Sequence, residues 1–328
     1  SIPPAPVGSG QRQASLQRTL LALLDTGHAV ASSELDALSD LGPRQQEQFQ
    51  ATWASLSSER RRDLITALVE FAEDHIDANF TAIYRWLLDD GDAWIRTQAV
   101  EGLWEDEDVR LITPLIRCLE HDADPDVRAA AALSLGRFLL LGEYGQIDAS
   151  AAQRVTTILL AAYRRQQEEV WVQRRLLEAL ANSSLAELPD LILAAFQEGD
   201  DTLRVGALFA MGRSADSRWN RYVLEELDNS DSATLFEAVR ASGELEIEEA
   251  VPALLRLLDD EDIEIRDAAV WALGRIGGRE AWRALKACCA SDDEDLVDAA
   301  ENALAELEFM AGDDTMPHAV GHPGLSDP

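Results

Sequence analysis

A short pattern recurs along this chain at a nearly constant interval, and it limits the possible folds more than any other feature. Each copy reads Asp, two residues, an aliphatic residue, often Arg, and then small and apolar residues ending in Leu-Gly. The aliphatic position, here called the anchor, falls at Ile95, Val127, Val172, Leu203, Thr234, Ile265 and Leu296. Successive anchors are 32, 45, 31, 31, 31 and 31 residues apart. Four equal intervals in a row indicate a repeat architecture.

Each repeat contains two stretches with helical spacing of apolar residues. The second stretch runs from the Asp to the Gly, and in one copy Ile265, Ala269 and Leu273 fall on one helix face. The first stretch precedes it, as at 247–260. A helix pair cannot bury its apolar face alone, so neighbouring pairs must stack to close a core. The sequence therefore predicts an all-α fold, an α-solenoid in which antiparallel helix pairs of about 31 residues form a superhelix.

Three other positions of the repeat have expected structural roles. The Asp three residues before the anchor is expected to cap the second helix by accepting its free amides. The Arg after the anchor is expected to pair with a turn Asp of an adjacent repeat, and the closing Gly suits a left-handed helix end or a close helix contact. These positions are Asp92, Asp124, Asp200, Asp231, Asp262 and Asp293 for the caps, with Glu169 in the copy at Val172, and Arg96, Arg128, Arg204 and Arg266 for the pairing.

The repeat pattern resembles that of a known family. The motif D-x-x-[VIL]-R-x-x-A-[AV]-x-A-L-G, best matched at 124–136 and 262–274, is similar to HEAT repeats, especially the short variant related to phycobilisome-lyase repeats. The resemblance covers about 60–310. It implies an α-solenoid, and it leaves the function open because one fold serves many functions.

Several enzyme classes with related repeats leave no signature in this chain. Deoxyhypusine hydroxylases hold two irons with His-Glu dipeptides, and none of the five histidines here precedes a Glu. Alkylpurine DNA glycosylases rely on a basic concave face, which the charge of this chain opposes. Walker loops, G-x-S-x-G and C-x-x-C motifs are also missing. We therefore expect the chain not to be an enzyme and to use no cofactor.

Metal binding is not predicted either. His318 and His322 have a spacing that could chelate a metal on a helix, but their segment is rich in Pro and Gly. The acidic runs at 105–108 and 292–295 lack the ligand order of a calcium loop and are interpreted as solvated turns.

The strongly acidic composition restricts the partners. The chain has 61 acidic and 28 basic residues, a formal net charge of −33, and Lys286 as its one lysine. Binding to nucleic acid phosphates or anionic lipid requires clustered Lys and Arg, so we expect neither nucleic acid nor membrane partners. If the charge serves recognition, it favours a basic partner. The three cysteines imply no disulfide framework and fit a cytoplasmic location.

One stripe of side chains is a candidate partner-binding surface. Positions two, six and ten after the anchor lie four residues apart, on a different line from the core positions. In the central copies these positions carry the following residues, here called the Phe/Trp/Arg stripe: Val205, Phe209, Arg213, Phe236, Arg240, Trp271 and Arg275. Phe, Trp and Arg are suited to interface hot spots, so we expect a protein or peptide to bind here on the concave side. Alternatively, the large side chains simply pack between helices.

The chain is expected to have four parts. Residues 1–12 are expected to be disordered, 13–56 to form a helical N-terminal cap, 57–310 to form the repeat array, and 311–328 to form a flexible tail. An eighth, weaker repeat is anchored near Leu64. The interval of 45 residues places an insert near 139–151, which is either a binding loop or a longer helix.

The sequence favours a non-enzymatic scaffold that binds a partner segment along the concave face. Two alternatives stay open. One is a lyase-like enzyme, or an accessory subunit of one, that acts on a cofactor-bearing protein. The other is a structural module whose ends dock other subunits of an assembly.

Overall fold

The computed structural model describes residues 9–25 and 30–311, and these residues are helical throughout, with no strand among them. The described α-helices are α1 Ser9–Leu23, α2 Ser32–Asp36, α3 Pro43–Ser55, α4 Ser58–Asp74, α5 Thr81–Leu87, α6 Ala93–Glu101, α7 Ile112–His121, α8 Pro125–Glu143, α9 Ala149–Arg165, α10 Val170–Leu180, α11 Leu188–Glu198, α12 Asp201–Arg213, α13 Asn220–Glu225, α14 Ser232–Glu244, α15 Val251–Leu257, α16 Ile263–Ile276, α17 Gly278–Cys288 and α18 Glu294–Ala311. Short 3-10 helices at Val109–Leu111, Ser217–Trp219 and Glu248–Ala250 lead into α7, α13 and α15.

The chain divides into two compact units, residues 1–189 and 190–328. In the first unit the second helices of successive repeats, α6, α8 and α10, pack side by side, and α4 packs against α6. In the second unit α12, α14, α16 and α18 form a similar row. The first helix of each pair packs beside its partner, as α7 does on α8 and α15 on α16. This arrangement confirms the predicted all-α fold, an α-solenoid of stacked helix pairs.

The anchors of the repeat lie in the core of each unit. Ile95, Val127 and Val172 are fully buried, and Thr234 and Ile265 are nearly so. Leu203 and Leu296 are partly exposed. The periodicity therefore identified the buried face of the second helices correctly in most repeats.

The predicted helix caps are present. The Asp three residues before the anchor accepts a hydrogen bond from a backbone amide two or three residues further on, whereas Glu169 makes no such bond. These bonds join Asp92 to Trp94, Asp124 to Asp126, Asp200 to Leu203, Asp231 to Thr234, Asp262 to Glu264 and Asp293 to Leu296. Each cap satisfies an amide that the first turn of the helix leaves free.

The arginine after the anchor ties successive repeats together. Arg96 donates from Nε and Nη2 to the two carboxylate oxygens of Asp122, both at 2.7 Å, and from Nη1 to the carbonyl of Asp90 at 2.8 Å. Equivalent ion pairs link Arg128 to Glu168 and Glu169, Arg204 to Glu226, and Arg266 to Asp293. The expected pairing with a turn Asp of the adjacent repeat is found for Arg96 and Arg266, whereas Arg128 and Arg204 pair with Glu instead. In each case the ion pair links one helix pair to the next.

The closing glycine of the repeat lets neighbouring second helices touch. At Gly136 in α8, a side-chain Cβ would lie 2.8 Å from the Cα of Ala179 in α10, closer than real Cβ contacts. The same contact recurs between Gly212 and Ala241, Gly243 and Ala272, and Gly274 and Ala303, at 2.9–3.2 Å from the alanine Cα. These glycines lie within helices and do not have positive φ. The left-handed alternative is therefore wrong here, and close packing is the reason for glycine.

The ends of the chain and the insert differ in how far the structure describes them. Residues 1–8 and 312–328, with His318 and His322, lie outside the described residues. Helix α1 begins at Ser9, and α1 to α3 occupy most of the segment expected to form a cap. The insert near 139–151 consists of the last turns of α8, a short turn and the start of α9. The structure thus favours the longer-helix alternative for the insert.

Replacing Gly136 by Ala tests the close helix contact. The added Cβ meets the backbone of Ala179, which cannot rotate away, so we expect a loss of stability of about 1–3 kcal/mol despite the better helix propensity of Ala. The control is Gly91→Ala, where a Cβ meets nothing within 4 Å. Urea unfolding followed by circular dichroism measures both. Equal midpoints for the two variants would contradict the role of Gly136.

Replacing Asp122 by Asn tests the inter-repeat ion pair through its pH dependence. Burial alone raises the pKa of Asp122, but hydrogen bonds from Arg96 and from the Asp124 amide outweigh it, so the pKa lies below its usual range. A lowered folded-state pKa contributes stability above the unfolded pKa of about 3.9, and that contribution is lost as the pH falls through the folded pKa. The variant should lose about 1–3 kcal/mol at neutral pH, and the difference from the parent protein should shrink in acid below about pH 4.

The control for Asp122 is Asp89→Asn, because Asp89 pairs with Arg117 at 2.7 Å on the surface. An exposed pair contributes about 0–1 kcal/mol, so this variant should change the unfolding midpoint little. A pH-independent difference for Asp122→Asn would show that the charge of Asp122 does not matter for stability.

Candidate functional site

The structure places the Phe/Trp/Arg stripe on three consecutive second helices of the second unit, α12, α14 and α16. Phe209, Phe236 and Trp271 are each partly exposed, whereas most core positions of the same helices are buried. Arg213 is exposed. Val205 is only 3% exposed and belongs to the core instead of the surface. The spacing that placed Val205 in the stripe gives its direction on the helix but not how far the neighbouring helices cover it.

Two members of the stripe come into direct contact. The guanidinium carbon of Arg240 in α14 lies 5.9 Å from the centre of the Trp271 ring in α16, within cation–π range. The same ring covers Gly243, where a Cβ would lie 2.7 Å from Trp271 Cζ3. Trp271 therefore leans across the contact between two repeats, and only part of it is available to a ligand.

Two carboxylates that sequence reasoning did not include lie beside the stripe arginines. Glu244 Oε1 lies 3.4 Å from Arg240 Nη2, and Glu246 Oε1 lies 3.4 Å from Arg275 Nη2. Glu244 is ten residues after the anchor Thr234, so the stripe spacing itself could have identified it. The arginines are therefore partly neutralised within the protein, which makes the aromatic rings the main uncompensated feature of the stripe.

Asp267 also occupies a stripe position, two residues after the anchor Ile265. Partial burial raises the pKa of Asp267, and nearby Asp293 and Asp295 act in the same direction while Arg266 opposes them. Asp267 therefore places a carboxylate on the line of the stripe, one helical turn before Trp271.

The arrangement suits noncovalent binding of a chain segment. Aromatic rings on neighbouring helices offer apolar area, and the Arg and Glu side chains offer hydrogen bonds at its edge. Within residues 9–25 and 30–311, no group of three or more His, Cys, Asp or Glu side chains could hold a metal ion. In the same residues, none of the helices is long and apolar enough to cross a bilayer.

The cysteines do not contribute to this surface. Cys118 is buried in α7, and burial raises the pKa of its thiol to about 11. Cys288 and Cys289, at the end of α17, are unbridged and partly exposed.

The sequence matches the model of a known protein family over two regions. A family model of HEAT repeats matches residues 81–181 and 220–305, which together exceed half of the chain. The chain belongs to the HEAT-repeat family. The matched regions of this HEAT-repeat chain include α5 to α10 and α13 to most of α18, with the stripe residues of α14 and α16 among them.

Solved structures with similar folds include a deoxyhypusine hydroxylase, a phycocyanin lyase complex and an importin beta. Human deoxyhypusine hydroxylase is 18% identical, with coverage of 93% of this chain and 100% of that one, at a TM-score of 0.35. The complex of CpcE and CpcF of phycocyanin lyase from Nostoc sp. PCC7120 is 18% identical, with coverage of 70% and 94%, at 0.45. Importin beta is 15% identical, with coverage of 92% and 45%, at 0.45. At these values none of the three assigns a function to this chain.

Among curated protein sequences, none matches the chain significantly.

Truncating Trp271 distinguishes a surface residue from a structural one. Leu273 of the same helix is fully buried, so Leu273→Ala should cost about 2–5 kcal/mol. Trp271 is partly exposed, so Trp271→Ala should cost less, about 1–2 kcal/mol. Urea unfolding of the two variants measures the difference. A cost for Trp271→Ala as large as that for Leu273→Ala would identify the ring as a packing element between repeats.

Proposed function

We propose that this HEAT-repeat chain is a non-enzymatic scaffold that binds a segment of a partner protein along the exposed faces of α12, α14 and α16. The observation that carries the proposal is the partial exposure of Phe209, Phe236 and Trp271 on three neighbouring helices, most of whose other apolar residues are buried. Large aromatic side chains held at a surface are the usual anchors of a protein interface.

The spacing of the helices suggests how a segment would bind. Packed helices lie about 8–10 Å apart, and an extended segment in the polyproline II conformation advances about 3.1 Å per residue with three residues per turn. An extended segment crossing the row would therefore present about every third side chain to a new helix. Apolar side chains at that interval would contact the rings of Phe209, Phe236 and Trp271 in turn.

The partner segment is proposed to be basic. The chain carries a formal net charge of −33, which attracts basic proteins and speeds their encounter at low salt. The stripe carboxylates Glu244 and Asp267 are placed to meet basic side chains next to the aromatic contacts. Free thiols at Cys118, Cys288 and Cys289 fit a reducing cytoplasm as the setting.

The test selects ligands from a displayed library of random peptides and measures their affinity by fluorescence polarisation. We expect selected peptides with apolar residues about every third position and basic residues between them. Phe236→Ala and Trp271→Ala should each weaken binding by about 10–100-fold, which corresponds to about 1.4–2.8 kcal/mol. Raised salt should weaken binding further by screening.

The matched control is Trp282→Ala, which removes an exposed tryptophan from α17, outside the stripe. Its affinity should stay within about twofold of the parent protein, well below the tenfold that corresponds to 1.4 kcal/mol. Circular dichroism confirms that each variant is folded. Selected peptides whose affinity survives both stripe substitutions would reject this surface and favour the assembly-module or lyase-like alternatives.

A further inference from the structure

A cleft of about 910 Å³ opens in the first unit, outside the Phe/Trp/Arg stripe. It lies between the end of α4, the turn before α5 and the turn after α6. Tyr84 lies at its base, 3% exposed, and burial raises the pKa of its hydroxyl to about 12. Ile76 and Trp104, at its edges, are 98% and 68% exposed.

Trp104 is unusual because it is a large aromatic residue left in solvent by an ordered turn. Arg137 of α8 donates hydrogen bonds to the carbonyls of Leu103, Trp104 and Asp106, which follow the end of α6. Arg85 of α5 donates hydrogen bonds of 2.6 and 2.8 Å to the Asp106 carboxylate. The turn is therefore held from two sides, and the Trp104 ring is exposed by a fixed backbone.

Three of the carboxylates that line the cleft have no partner among the described residues. The side chains of Glu73, Asp77 and Glu105 make no hydrogen bond or ion pair within the part of the chain that the structure describes. Glu101 accepts a hydrogen bond of 2.6 Å from Gln98 Nε2. Partial desolvation raises the pKa of Glu101, and a nearby cation would favour its charged form.

Acidic residues of the run 105–108 differ in whether an arginine of the protein pairs with them. Asp106 and Asp108 both pair with Arg85, at 2.6 and 3.0 Å. Glu105, between Trp104 and Asp106 in sequence, has no such pair and lines the cleft. Arg85 thus neutralises Asp106 and Asp108, whereas Glu105 leaves an unpaired negative charge in the cleft.

The residues that the structure leaves undescribed offer no Lys or Arg to the cleft. The residues outside the structural description, 1–8, 26–29 and 312–328, contain neither Lys nor Arg. Arg175, whose charge acts to lower the pKa of Glu101, already pairs with Glu178 at 2.6 Å. The undescribed residues of this sequence therefore supply no Lys or Arg to the cleft.

We propose that this cleft binds an arginine-containing basic segment of a partner protein. One guanidinium stacks on the exposed Trp104 ring, and Glu101 and Glu105 of the same wall accept its hydrogen bonds. Further basic side chains meet Glu73 and Asp77 on the opposite wall. Charge complementarity decides the occupant, since the aromatic surface is surrounded by acids that the protein leaves unpaired.

The spread of the acids favours several cationic side chains over a single metal ion. No three carboxylates in the described residues converge closely enough to hold a metal. The carboxylates instead belong to two separate segments, 73–77 and 101–105, that face a cleft large enough for several side chains. This site belongs to a different unit from the stripe, so the proposal stands or falls independently of the proposed function.

The test uses the full chain and a fluorescein-labelled peptide of alternating arginine and serine, read by fluorescence polarisation at physiological ionic strength. Trp104→Ala and the double substitution Glu101→Gln with Glu105→Gln should each weaken binding about tenfold or more. The charge-matched control is Glu248→Gln with Glu249→Gln, two exposed residues of the second unit. That control should stay within about twofold of the parent protein.

Three outcomes overturn the proposal. Equal weakening by both double substitutions would show that only the overall negative charge attracts the peptide. Full affinity in the Trp104→Ala variant would show that the ring takes no part. Binding of a linear polyamine that displaces the peptide at equal molar concentration would assign the cleft to a small polycation instead of a protein segment.

Lysine in place of arginine in the peptide should weaken binding, because guanidinium stacks on indole better than ammonium does.

Discussion

Successive second helices of this protein meet backbone to backbone in four places, each at one glycine and one alanine, the glycines being Gly136, Gly212, Gly243 and Gly274. The glycine lies nine residues after its anchor, and the alanine seven residues after the next anchor, as in Gly243 and Ala272. Such an approach leaves no room for adjustment, so it fixes the separation of the helices. The aspartate caps and the arginine ion pairs then set rotation and tilt around that contact. The exposure of the stripe depends on the same spacing, because Trp271 can lie across the repeat only where Gly243 has no side chain.

The repeat anchored at Ile95 shows what happens when the glycine is missing. The position nine residues after this anchor is Trp104, a residue far too large for a backbone contact. Helix α6 ends at Glu101, six residues after its anchor, whereas α12 and α14 continue to ten. The freed carbonyls are bound by Arg137 from the next second helix. A cleft with an exposed indole thus lies where the regular stacking is interrupted.

Much of the fold could be predicted from sequence because it depends on local or strictly periodic features. The capping residue and the pairing arginine lie at fixed offsets from the anchor, and the anchor itself recurs at a nearly constant interval. A single period therefore locates all three. Burial of Val205 could not be predicted, since it depends on how neighbouring helices cover the first turn of α12. The Trp104 cleft was also missed. Its walls come from 69–84 and 98–107, two segments that share no period, and the acidic run at 105–108 was interpreted as a solvated turn. Only the fold reveals that Arg85 neutralises Asp106 and Asp108 but not Glu105.

The recurrence of one glycine–alanine contact also bears on how such chains change in length. The repeats anchored at Thr234 and Ile265 each present the alanine half of this contact on one side and the glycine half on the other, at the same distances from the anchor. An in-frame duplication or loss of one 31-residue unit between Leu203 and Leu296 would therefore bring a glycine and an alanine together again without any new complementary residue. Gene rearrangement can lengthen or shorten this part of the solenoid in whole steps, while the interrupted repeat at Trp104 has no such interchangeable neighbour.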